Sequence, residues 1–168
     1  MDGVTRPVYV LLIEDSPEEA ELIQVMLAQS RREVLHVQHV SRLADGLARL
    51  ASDPVDVVLL DFSLPDSSGL VSFEKARKVA PHVPIVILTN LDDEETALSA
   101  VREGAQDYLV KRQVDNDLLL RSIRYAISRM LVERAMWESE ERYALAVNGA
   151  NDGIWDWNIA TGSAYFSP

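Results

Sequence analysis

Glu14 and Asp15 follow the apolar run Val8–Ile13, Asp61 ends the run 56–61, Thr89 ends Ile85–Thr89, and Lys111 follows the run 108–110. Brought together, three carboxylates, a hydroxyl and an ammonium make an oxygen-rich pocket suited to Mg²⁺, which takes a few carboxylates and keeps waters for a phosphorylated ligand. The same set lets a carboxylate act as a nucleophile toward phosphorus. Attack by Asp61 needs its charge repulsion masked, and Mg²⁺, the Lys111 ammonium and the Thr89 hydroxyl can spread over the oxygens of the transferring group. Catalysis would then be positioning and electrostatics. Taken singly, a strand-end Asp is most often a turn or helix cap, and a lone Lys a solvated surface group. The ordered recurrence of acid pair, Asp, Thr and Lys favours a shared site. Tyr108 reads equally as core packing and as a switch residue.

The elements that must position these residues are short β-branched runs alternating with longer segments of helical period. The five runs are Val8–Ile13, 34–39, 56–61, Ile85–Thr89 and 108–110. Helices are expected over 17–30, 41–51, 68–80 and 92–103, with a long one from about residue 115. Ser16 before Pro17 and Glu19 is an N-cap signal, and Asp92, Asp93, Glu94 and Glu95 load a helix start with carboxylates that its dipole favours. Five right-handed βα units predict an α/β fold of the flavodoxin-like (βα)5 type, a doubly wound parallel sheet. Its ligand site lies beyond the carboxyl ends of the strands, where all the residues above fall.

From 115 to about 147 there is no Pro, and Leu120, Ile123, Ile127, Met130, Arg134, Trp137, Glu141 and Ala144 recur at alternating spacings of three and four. This predicts one helix continuing past its own domain, which favours a dimerising coiled-coil linker over a single exposed helix or one folded back. In a parallel homodimer Ile123 and Ile127 would stack on their copies, while Arg134 and Glu141 weaken the distal half. After Asn148-Gly149, aromatic alternation about a Thr161-Gly162 turn predicts a hairpin, too small to bury a core and so the truncated opening of a second domain.

Composition bounds the function. With 27 Asp plus Glu against 16 Lys plus Arg the formal charge is -11, which repels phosphate backbones and anionic lipid, so no direct nucleic-acid contact is expected. No apolar run approaches the roughly 20 residues of a membrane span, and no signal peptide is evident. Zero cysteines exclude disulfides and thiolate chemistry. A cytoplasmic protein is expected.

Over about residues 7 to 128 the sequence resembles the receiver (CheY-like) domain of bacterial two-component response regulators, in LLIEDSPEEAELI, DVVLLDFSLPDSSGL, PIVILTNLDDEETAL and GAQDYLVKRQ. The resemblance implies that Asp61 is the phosphoacceptor and that Glu14, Asp15 and the Ser63 backbone carbonyl help bind Mg²⁺. It further implies that Thr89 and Lys111 contact the phosphoryl group, that Tyr108 is the switch aromatic, and that the donor is a histidine kinase or histidine phosphotransfer protein. Three positions depart from the family: Arg112 stands where proline is common, Asn90 where a small residue is usual, and Leu91 near the path of hydrolytic water. The tail ESEERYALAVNGANDGIWDWNIATGSAYFSP resembles the entry helix and first hairpin of a PAS sensor domain. The expected organisation is a receiver over 1–128, a helical linker over 129–147 and a PAS-like start over 148–168. In such proteins a diguanylate cyclase, phosphodiesterase or histidine kinase often follows, and none of their catalytic motifs is present, so the chain is read as regulatory rather than as an enzyme. The competing reading is a receiver-like module that dimerises without phosphorylation. An enzyme of flavodoxin or phosphatase type would need a phosphate-cradling glycine loop where Glu14-Asp15-Ser16-Pro17 stands.

Overall fold

The computed structural model describes residues 6–31, 33–90, 93–150, 155–158 and 163–166, with side chains through residue 143. Leu91 and the Thr161-Gly162 turn lie outside the described residues. The chain divides into two units, residues 1–130 and 131–168.

In the first unit, strands β1 (Val8–Ile13), β2 (Leu35–Val40), β3 (Val57–Asp61), β6 (Ile85–Thr89) and β7 (Asp107–Val110) form one sheet in the order β2-β1-β3-β6-β7. All four pairings are parallel. Helices α1 (Pro17–Ala28), α2 (Leu43–Ser52), α3 (Gly69–Val79) and α4 (Glu94–Arg102) are the crossovers, and α5 (Asn116–Ala150) follows β7. This is the doubly wound flavodoxin-like arrangement. The hairpin of β4 (Ser63–Leu64) and β5 (Ser67–Ser68), two residues each, precedes α3.

Alternation along the central strands divides the core in two. Leu11, Ile13, Val58, Leu60, Ile85 and Ile87 point to the layer that holds Phe73 and Ala76 of α3 and Ala97 and Ala100 of α4. Val10, Leu12, Val57, Leu59, Val86 and Leu88 point to the other, with Ala20, Ile23 and Leu27 of α1 and Leu119, Ile123 and Ala126 of α5. Period-two burial on both faces is why these strands read as continuous apolar runs. At Gly46 a Cβ would lie 2.4 Å from Ile13 Cδ1, so any side chain there would force Ile13 to shift where α2 meets the sheet.

Two expectations are corrected. Ile123 is 0% exposed in the core between α5 and the sheet, and Ile127 packs half-buried against the same layer. Ile123 therefore cannot stack on a copy of itself, because the first part of the 3–4 stripe is occupied by the protein's own sheet. Beyond it the exposed apolar side chains of α5 are Leu131, Val132, Met136, Trp137 and Tyr143. The helix also runs past residue 147, through Gly149, to Ala150. In the second unit β8 (Trp155–Asn158) and β9 (Ser163–Phe166) pair antiparallel, Trp155 opposite Phe166.

Candidate functional site

The parallel sheet delivers Glu14, Asp15, Asp61, Thr89 and Lys111 to one edge because each follows or ends a strand running in the same direction. Glu14 is fixed first. Its backbone N–H donates to the Val40 carbonyl at 3.0 Å, its carbonyl accepts from His39 Nε2 at 2.8 Å, and its Oε1 accepts from the Ser16 N–H at 3.1 Å. The Ser16 hydroxyl in turn accepts from the Glu19 N–H at 3.3 Å, capping α1 beside the acid pair.

Lys111 crosses the site. Its Nζ lies 2.7 Å from Glu14 Oε2 and 3.0 Å from Asp61 Oδ1, and it also pairs with Glu19 Oε2. Its backbone N–H is held by the Thr89 carbonyl at 2.9 Å, and the Gln113 N–H closes the following turn on the Val110 carbonyl at 2.8 Å. That turn is made with Arg112 in place and with no cis peptide bond among the described residues.

Burial dominates the protonation behaviour. It raises the Glu14 carboxyl above its ordinary range, opposed by the Lys111 hydrogen bond and reinforced by Asp61. Asp61 is raised by burial as well, opposed by the Lys111 charge. For Lys111 burial acts against the ammonium, but Glu14, Glu19 and Asp61 outweigh it and push the pKa up. Lys111 is therefore an ammonium throughout the physiological range.

The donor set fits a hard divalent cation. Glu14, Asp15 and Asp61 each offer an oxygen, all within 4.8 Å of one another. Glu14 Oε2 and Asp61 Oδ1 are buried and, beyond their ion contacts to Nζ, have no hydrogen-bond partner. Anionic oxygens with unused lone pairs are what Mg²⁺ coordinates. A cleft of about 800 Å³ lies elsewhere, between the end of α1 and the start of α5, lined by Gln29, Asn116, Leu120 and Arg124 among others.

Thr89 is buried at the end of β6, and its hydroxyl donates to the Asn90 carbonyl at 3.1 Å rather than into the acid cluster. Ser63 begins β4, and its backbone N–H is a hydrogen-bond donor to Asp61. Tyr108 is half-buried, its hydroxyl donating to Glu94 Oε1 at 2.9 Å, and that bond is the main reason its pKa is raised.

Two residues of the site escaped the sequence reading. Glu19 is explicable there only as an acidic first-turn residue, yet it reaches Lys111 from a helix start that faces the strand ends. Asp66, at the tip of the β4–β5 hairpin, accepts the N–H groups of Leu43 and Ala44, both at 2.9 Å, and so caps α2 from another loop. Those bonds, the one from Ala44 first, hold its pKa below the ordinary carboxylate value. Arg42, the residue before α2, provides no side-chain cap, which leaves these N–H groups to Asp66. Gly69, at φ 59°, turns the chain from the hairpin into α3.

The response regulator receiver domain model matches residues 10–124. The chain belongs to this family. Among its relatives are PilH of Pseudomonas aeruginosa, 33% identical over 116 residues that make 68% of this chain and 93% of PilH, and the probable transcriptional regulatory protein TcrX of Mycobacterium tuberculosis, 32% identical over 69% of this chain. The chain spans 48% of TcrX, and 22% of the response regulator PilR of Pseudomonas aeruginosa. A receiver domain structure from Clostridium thermocellum superposes with a TM-score of 0.67 at 28% identity, covering 74% of this chain and 98% of that one. Receiver domains are regulatory, are phosphorylated by histidine kinases and generally bind Mg²⁺ at an acidic pocket. No helix among the described residues of this receiver is long and apolar enough to cross a membrane.

Proposed function

We propose that this receiver takes a phosphoryl group from the phosphohistidine of a histidine kinase or histidine phosphotransfer protein onto Asp61. The reading is supported above all by one observation: the mostly covered ammonium of Lys111 lies within 3.0 Å of a buried strand-end carboxylate, with two more acids beside it. An Asp61 oxygen bonds to phosphorus as the P–N bond breaks, and the electron pair leaves with the imidazole nitrogen. Lys111 donates N–H groups to the phosphoryl oxygens and offsets their charge. The Thr89 hydroxyl turns from the Asn90 carbonyl toward the same oxygens. Tyr108 acts as the switch aromatic by leaving Glu94 when Thr89 moves. Glu14, Asp15, Asp61 and the Ser63 backbone carbonyl would hold Mg²⁺, which when bound neutralises charge on the acids and on the transferring group.

The output passes through α5. Val132, Met136 and Tyr143 are exposed at spacings of four and seven, the a/d rhythm of a two-stranded coiled coil, which supports a parallel homodimer along the distal part of the helix. The aromatic hairpin β8–β9 supports a PAS-like continuation, and the charge of -11 supports a role without direct nucleic-acid contact. A cytoplasmic location and a receiver, linker and PAS-like order belong to the same reading.

With Mg²⁺ and phosphoramidate the parent should gain one phosphoryl group and Asp61→Asn none. Mg²⁺ should also raise the melting temperature, with Asp15→Asn removing most of the gain. Labelling of the Asn variant, or no melting shift in the parent, would overturn the assignment.

A further inference from the structure

We infer that Glu19 is a positioning residue that holds Lys111 back from the phosphoryl group, a brake on phosphorylation that rests on the reading of Asp61 above. An ammonium has three N–H donors. In this protein three carboxylates surround them: Glu14, Asp61 and Glu19. Nζ hydrogen-bonds Glu19 and makes ion contacts to Glu14 and Asp61, so one partner has to let go before a phosphoryl oxygen takes its place.

Burial decides which. The side chains of Glu14 and Asp61 are 0% and 2% exposed, whereas that of Glu19 is 41% exposed. Water can solvate Glu19 at once when it swings out, while either buried acid, once released, depends on Mg²⁺ as its new partner. Glu14 is also tethered through Oε1 to the Ser16 N–H. Glu19 has a free stem on the first turn of α1 and a mobile partner in its outward rotamer, water. Its carboxylate thus occupies the place on Lys111 that a phosphoryl oxygen takes, and each transfer must first break that pair.

Glu18 is an internal control. It neighbours Glu19, carries the same charge and bonds to the Ser16 hydroxyl rather than to Lys111. Loss of either charge eases approach of an anionic donor, but only loss of Glu19 frees Lys111.

The test follows the full chain with Mg²⁺ and phosphoramidate, whose P–N bond breaks as Asp61 bonds to phosphorus, the nitrogen taking a proton and leaving as ammonia. Rate is measured against donor concentration, so that half-saturation and saturating rate are separated. Glu19→Gln should raise the saturating rate roughly two- to fivefold, the worth of a partly exposed ion pair. Glu18→Gln should leave it at the parent's value and change half-saturation alone. Glu18→Gln should melt with the parent, and Glu19→Gln within the small loss that a partly exposed ion pair is worth. An unchanged saturating rate in Glu19→Gln, or an equal rise in Glu18→Gln, overturns the brake while leaving Asp61 as acceptor. A parent that gains no phosphoryl group overturns the acceptor reading and the brake with it.

Discussion

The sheet edge and the far part of α5 break the ordinary rule of burial in opposite senses. At the edge, Glu14 and Asp61 are charged groups placed inside, with one buried ammonium between them. Along α5, Leu131, Val132, Met136, Trp137 and Tyr143 are apolar groups placed outside. Buried charge is costly unless paired, and exposed contiguous apolar surface is unusual in a monomer. On the reading proposed above, the edge binds a cation and a phosphoryl group, and α5 a second helix. The difference lies in cost. The edge gives its two buried acids one shared counter-charge, Lys111, so it is sensitive to one residue, whereas the helix spreads its apolar surface over several.

The largest effect should come from removing that single counter-charge. Lys111→Met leaves two buried carboxylates without their cation and should cost about 3–5 kcal/mol in urea unfolding at pH 7. Because both acids already have raised pKa values, the loss should shrink on acidification, when a proton replaces the lysine. A pH-independent loss would mean that the stem of Lys111, not its charge, matters.

On the helix, the double variant Val132→Asp with Met136→Asp sets like charges against their copies where burial of each side chain would contribute roughly 1.5–3 kcal/mol. Sedimentation should show a dimeric parent and a monomeric variant. Ile127→Asp, by contrast, should destabilise the receiver, since that side chain packs on its own core. A dimer surviving the first change would move the interface off this face.

A smaller gain is expected at Asp61. Its carboxyl is raised by burial, so between its ordinary pKa and its raised one the folded state holds a proton that the unfolded state has lost. Stability therefore falls as pH rises through that window, and stays lower above it. Asp61→Asn should add about 1–3 kcal/mol at pH 7 and flatten the acid-side slope. A loss of stability would mean that the Lys111 ion pair outweighs the cost of burying the acid.

The smallest effect belongs to a residue that joins loop and helix. Asp66→Ala should cost about 1 kcal/mol, as for other caps, because the Leu43 and Ala44 N–H groups lose their acceptor. Thermal unfolding unchanged by this substitution would show that water serves those groups as well.

What could be read in advance divides along the same comparison. The meeting of Glu14, Asp15, Asp61, Thr89 and Lys111 at one edge was legible because parallel strands buried on both faces appear as apolar runs, and the residue that ends or follows each run must lie at that edge. Asp66 was not, since the N–H groups that donate to it are 22 and 23 residues away and no local pattern records them. The two-residue strands β4 and β5 are too short to have a period. On α5 the 3–4 stripe through Ile123 and the exposed side chains from Leu131 onward are both apolar, and spacing alone does not say which meets the sheet. Burial of Ile123 decides it.

Whether Asp61 receives the phosphoryl group is decided by trapping the acyl phosphate. After reaction with phosphoramidate and Mg²⁺, borohydride reduction converts an aspartyl phosphate to homoserine, which peptide mass spectrometry locates. Homoserine is expected at position 61, with aspartate retained at position 15. Homoserine at position 15, or none anywhere in a protein that has gained the phosphoryl mass, would contradict that assignment.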